Sequence, residues 1–107
     1  MQSNAHGRWM KDDIRKLLAT VLFFKGLSDE ELDSVQAITV ERDYQRNQLV
    51  FSDGEEGRGF FLVVTGKVKV YKLSAEGKER ILHIVSQGGT FAEAAIFGNG
   101  LYPAYAE

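Results

Sequence analysis

Nine of the 11 glycines in this 107-residue chain fall between Gly54 and Gly100, and they cut that half into short apolar runs. Glycine at such intervals ends helices and supplies tight turns, so the runs between them are read as strands. The side-chain period agrees. Lys67-Val68-Lys69-Val70-Tyr71-Lys72 alternates, which predicts Val68 and Val70 inward and the three lysines outward. Residues 60–64, Phe-Phe-Leu-Val-Val, form a dense apolar run suited to a strand buried on both faces. Ser74-Ala75-Glu76-Gly77 predicts a hairpin loop, with residues 80–85 as the returning strand. Leu49-Val50-Phe51 reads as a short strand ended by Ser52-Asp53-Gly54. In residues 38–43, Ile38, Val40 and Arg42 alternate with Thr39, Glu41 and Asp43 as a half-buried strand. Many short strands with glycine turns indicate a mainly β sandwich or roll and not an α/β fold.

Two short helices precede the strands. Ile14, Leu17, Leu18, Val21 and Leu22 recur at helical spacing behind Asp12 and Asp13, which suit a helix N-terminus. Ser28-Asp29-Glu30-Glu31 is a capping-box sequence, predicting a second helix to about Gln36 that buries Leu32 and Val35. Ser3-Asn4-Ala5 resembles the remnant of a cleaved tag, and Met10-Lys11-Asp12-Asp13 reads as a natural start. Residues 1–9 are therefore set aside, leaving residues 10–107 as one domain, expected to be incomplete at its C-terminal end because 102–107 reads as a strand just beginning.

Composition excludes several functions. Thirteen basic against 15 acidic residues give a net charge of −2, with no electrostatic footprint for nucleic acid. The absence of cysteine removes disulfides, iron–sulfur clusters, thiolate zinc sites and cysteine nucleophiles, and fits a cytoplasmic location. The apolar run at residues 21–24 is far too short to cross a membrane. With His6 in the segment set aside, His83 is the one histidine to consider, too few for a cupin-type metal site. No serine belongs to a recognisable nucleophile motif, and the expectation is a protein that is not an enzyme.

Three blocks in order resemble the sensor domain of the Crp/Fnr family of bacterial transcription regulators. They are Phe51-Ser52-Asp53-Gly54 through residues 59–70, then residues 74–82, then residues 90–107, Thr-Phe-Ala-Glu-Ala-Ala-Ile-Phe-Gly-Asn-Gly-Leu-Tyr-Pro-Ala-Tyr-Ala-Glu. The resemblance implies a jelly-roll, or double-stranded β-helix, of the cyclic-nucleotide-binding type with short N-terminal helices. It implies a small-molecule effector, a homodimer, no membrane, and DNA contact only through a helix-turn-helix domain beyond this chain.

The resemblance also designates a ligand cassette, for which we name Leu82, Phe91, Ala92, Glu93, Ala94, Pro103 and Ala104. Glu93 stands where the family has its ribose-binding carboxylate. Ala92 replaces a glycine before it. Pro103 stands in place of the phosphate-binding arginine, and Ala104 replaces the small hydroxyl residue beside it. A cyclic phosphate would lose its charge-assisted bonds, each worth roughly 1.5–3 kcal/mol, so a cyclic nucleotide is disfavoured. The cofactor is left open: haem through His83 is one route, and an iron–sulfur cluster is none. A regulatory cyclic-nucleotide domain borne by a kinase, channel or transporter is the alternative. The basic hairpin of Lys67, Lys69, Lys72, Lys78 and Arg80 is expected to be a solvated outer face.

Overall fold

Helix α1 (Lys11–Ala19) opens the part of the chain that the computed structural model describes, residues 11–107; the segment set aside at residues 1–9 lies outside it. Asp12 and Asp13 occupy the first turn of α1, where the helix dipole favours them. A 3₁₀ turn at Leu22–Phe24 leads to α2 (Asp29–Ala37). The Ser28 hydroxyl accepts from the Glu31 amide at 3.2 Å, and Glu31 Oε1 accepts from the Ser28 amide at 2.9 Å, completing the predicted box. Those bonds hold the Glu31 carboxyl below its ordinary pKa, the backbone amide of Ser28 contributing most. Arg15 of α1 fixes the second helix by donating to the Asp29 carbonyl at 2.9 Å and to the Asp33 carboxylate.

The helices close one end of the roll. Ile14, Leu18 and Val21 are buried against Leu62 and Val64, with Leu17, Phe24 and Val35 packed around them. Strand β1 (Phe61–Leu62) pairs antiparallel with β4 (Thr90–Phe91), Phe61 opposite Phe91, and the Val63 amide extends the ladder to the Gly89 carbonyl at 2.9 Å. A second sheet has the order β3-β2-β5, from β2 (Lys67–Leu73), β3 (Glu79–Ser86) and β5 (Tyr105–Ala106). Between the sheets lie Phe51, Val63, Val68, Phe91, Ala95, Tyr102 and Ala106. Phe51 stacks on Tyr102 at 3.9 Å between ring centroids, and Phe61 on Phe91 at 4.9 Å. The Tyr102 hydroxyl donates to the Gly59 carbonyl at 3.0 Å, and burial raises its pKa.

Some expected strands are shorter or absent. Residues 38–43 form no ladder; Ile38 is 82% exposed, and its amide and that of Thr39 cap α2 by bonding back to Val35 and Gln36. Only Arg42 takes part in a single bridge, too little to make a strand of the alternating run. Residues 49–51 meet β5 only as a bridge, Phe51 to Ala106, because β5 itself is two residues long.

Pairing settles the faces of the β2–β3 hairpin. Val70 lies opposite Ala106 and Tyr71 opposite Tyr105, with Val68 and Ala106 buried inside. Tyr71, itself buried, stacks on Tyr105 at 5.4 Å, and Lys69 binds Glu107 at 2.9 Å and Glu79; these bonds, Glu79 first, raise the lysine pKa. Lys67 and Lys72 are exposed, as the sequence predicts for the lysines of this strand, and Lys69 is half-buried in its ion pairs. A bulge corrects one point. Val70 pairs with His83 and Tyr71 with Ile81, so Leu82 is an extra residue and Ile81 falls on the face opposite His83 and Val85.

Two outcomes follow for stability. A Cβ on Gly57 would sit 2.5 Å from the Ala95 Cβ and 2.9 Å from Tyr102 Cε1. Gly57→Ala should therefore cost about 1–3 kcal/mol, seen as a lower urea midpoint at unchanged slope. Because the folded-state pKa of Glu31 is depressed, its stabilisation is full above the ordinary carboxylate pKa and is lost as pH falls through the lowered value. Glu31→Gln should flatten that part of the acid dependence of the melting temperature.

Candidate functional site

The cassette is built from β4, the turn that follows it, helix α3 (Ala94–Phe97) and the segment entering β5. Phe91 is 5% exposed and stacked on Phe61, so it anchors the turn from the core side. Ala92 has φ +71°, the left-handed region that glycine occupies without cost. The turn thus keeps a glycine's conformation with an alanine in it, at a strain of roughly 1–2 kcal/mol. Glu93 then returns to helical backbone and its carbonyl accepts from the Ile96 amide at 3.0 Å. Its carboxylate is half-buried and accepts a hydrogen bond from the Thr90 hydroxyl. Ala94 is exposed, while Ala95, which the sequence reading did not single out, packs into the core beside Gly57 and Tyr102.

Of the other named residues, Leu82 sits in β3 of the second sheet, and Pro103 and Ala104 form the bend that leads into β5. Ala104 is 2% exposed, a core position, whereas Pro103 is exposed. The Pro103 carbonyl accepts from Lys72 Nζ at 3.1 Å, and the same ammonium lies 2.6 Å from Asp53 Oδ2. Leu82 is the bulged residue of β3, 43% exposed, and the order β3-β2-β5 places it across β2 from the Ala104 segment. The structure thus gathers residues 91–94 on one turn and ties residues 103–104 to Lys72 and Asp53. His83 lies opposite Val70 and is exposed.

A cavity of about 630 Å³ opens elsewhere, lined by Phe24, Ile38, Val40, Phe60, Ile96 and Tyr102 among others. None of the seven cassette residues lines it. It is a cleft beside α2 and β1 that Ile96 of α3 and Tyr102 border from the cassette, with Arg42, Glu55, Glu56 and Arg58 also on its wall. Among the described residues, no group of three or more His, Asp or Glu is arranged to hold a metal ion.

Residues 41–107 match the cyclic nucleotide-binding domain family, and the chain belongs to it. It is a sensor domain of the Crp/Fnr type. The chain is 32% identical to the sensor domain of the transcriptional regulator DNR from Pseudomonas aeruginosa, with a TM-score of 0.84 over 91% of this chain and 65% of that one. It is 28% identical over 85 residues to a CRP-like cAMP-activated global transcriptional regulator of Mycobacterium tuberculosis, covering 79% of this chain and 38% of that protein. To the cyclic AMP receptor protein of Thermus thermophilus it is 31% identical over 77 residues, 72% of this chain and 36% of that protein. The chain therefore spans little more than a third of these two curated relatives. Jelly-roll architecture and short N-terminal helices stand as expected.

The strained turn gives a test. Ala92→Gly relieves the left-handed alanine but loosens the unfolded chain by roughly 0.4–1 kcal/mol. The balance favours glycine, and the variant should be more stable by about 0.5–1 kcal/mol in denaturant titration.

Proposed function

We propose that residues 10–107 are the effector-sensing part of a bacterial transcription regulator, in which a small molecule at the cassette controls DNA binding by a helix-turn-helix domain outside this chain. The observation that carries this reading is the cassette turn. It keeps the left-handed backbone at Ala92 and the carboxylate of Glu93, while Pro103 and Ala104 supply no side-chain donor. The shape of a ligand site persists without the arginine that a cyclic phosphate requires beside it.

Control of this kind needs a ligand that binds two arrangements of the protein with different affinity. The reading places the protein in the cytoplasm, as a homodimer, with no catalytic role; no helix among the described residues is long and apolar enough to cross a membrane. Leu82, Phe91, Ala92, Glu93, Ala94, Pro103 and Ala104 are proposed as its ligand environment, Phe91 and Ala104 acting from the core side. A domain serving a kinase, channel or transporter through a cyclic nucleotide would need the donor that Pro103 lacks. Haem fits poorly, because an axial imidazole needs an enclosed pocket and His83 is exposed.

Calorimetric titration with cAMP and cGMP should show no micromolar binding, and a low-micromolar dissociation constant for either would overturn the exclusion of cyclic nucleotides. Native mass spectrometry of the full-length regulator should reveal a retained small ligand, and that ligand should alter DNA affinity. DNA binding indifferent to every retained or added small molecule would sink the sensor reading itself.

A further inference from the structure

We infer that the cleft of about 630 Å³ beside α2 and β1 is a ligand site apart from the cassette, taking the apolar body of a carboxylic acid inside and its carboxylate at the mouth. It uses none of the seven residues proposed above for the effector, and so goes beyond the sensor reading.

Burial separates the inside of the cleft from its lip. Leu18, Phe51, Leu62 and Tyr102 line it from the core and are buried, whereas Ile38, Val40 and Ile96 line it while 82%, 61% and 45% exposed. The lip stays open because residues 38–43 leave α2 without joining a ladder, so no strand pairing draws Ile38 and Val40 in against the roll. Single exposed aliphatic side chains are ordinary on a protein surface. Around one concavity with an apolar floor they mean more, because together they form a surface that an apolar body would remove from water. The volume is that of clefts that hold drug-sized ligands.

The polar groups on the wall fix the orientation. The Tyr102 hydroxyl donates to the Gly59 carbonyl at 3.0 Å, and the Thr39 hydroxyl to the Val35 carbonyl at 2.8 Å. Both hydroxyl protons are thus engaged within the protein, and the inside favours a body without polar atoms. The mouth differs. Arg42, Glu55, Glu56 and Arg58 line the cleft and are exposed. The Glu55 carboxylate accepts from the Ser52 amide at 3.1 Å, while neither guanidinium makes a hydrogen bond or ion pair among the described residues. Two planar donor forks without partners suit a carboxylate. The two glutamates repel a bare anion, so the apolar body supplies most of the affinity and the arginines orient the head. The occupant would also touch the cassette from behind, since Ile96 follows Ala95, which lies beside Gly57 and Tyr102.

Nitrogen-15 NMR titration of the 107-residue chain tests this with octanoate, acetate and octanol, which separate the whole ligand from its head and its body. Octanoate should shift the amides of Ile38, Val40, Gly59 and Ile96 and bind tighter than octanol; acetate should give no saturating shift. Ile38→Ser with Val40→Ser, both on the open lip, should weaken octanoate and octanol about tenfold. Arg42→Gln with Arg58→Gln should weaken octanoate about fivefold and leave octanol unchanged. Unchanged melting temperatures would show that the variants are folded. Octanol binding as tightly as octanoate would overturn the acid class. The site is overturned if the lip variant binds octanoate as the parent does, or if the shifts centre on Leu82 and Ala104. The same amides moving with protein concentration alone would assign the cleft to a second copy and overturn the small ligand. Each of these results would leave the sensor reading standing, since the retained ligand and DNA response of the full-length regulator are measured separately.

Discussion

Four aromatic rings join the two small sheets. Phe51 on Tyr102 and Phe61 on Phe91 bring together residues from four separate stretches of the chain, and Phe51 and Phe61 lie 5.7 Å apart between these pairs. Neither sheet is large enough to fold by itself; one has two strands and the other three, with three strands of only two residues each among them. The stack also sets the cassette. Phe91 ends β4, so the turn at Ala92 starts from a fixed ring, and Tyr102 holds the descending segment before Pro103. Ala95 and Gly57 complete the contact, which leaves no room for a side chain at position 57.

Within that frame the cassette separates backbone shape from ligand chemistry. The backbone at Ala92 is held in a conformation that costs free energy for alanine, so packing around Phe91 and Ala95 must over-determine it. The donors, in contrast, are gone from positions 103 and 104. The backbone of the turn is therefore kept without a side-chain donor at either position.

Local signals were the most legible. The box at Ser28 and Glu31 depends on residues three apart, and the structure reproduces both of its bonds. The β2–β3 hairpin was equally plain, since alternation and a glycine turn coincide at residues 67–86. Residues 38–43 show the limit: their alternation was real, but no edge among the described residues pairs with them in a ladder. For the cassette, Glu93 and the replaced positions could be read from the chain, whereas the role of Ala95 could not, because its neighbours Gly57 and Tyr102 come from distant segments. The exposure of Lys72 was available to sequence reasoning, whereas the faces of Arg80 and Ile81 were not, because they depend on the bulge at Leu82.

The bulge at Leu82 acts as a change of reading frame for the strand. On one side of it, His83 and Val85 share a face at odd positions; on the other, that face is carried by the even-numbered Arg80. A strand one residue shorter at this point would exchange the faces of Arg80 and Glu79, without altering a single side-chain type. The charge presented on each face would then be set by an insertion and not by a substitution. Relatives compared column by column could carry the same arginine on opposite faces of the sheet.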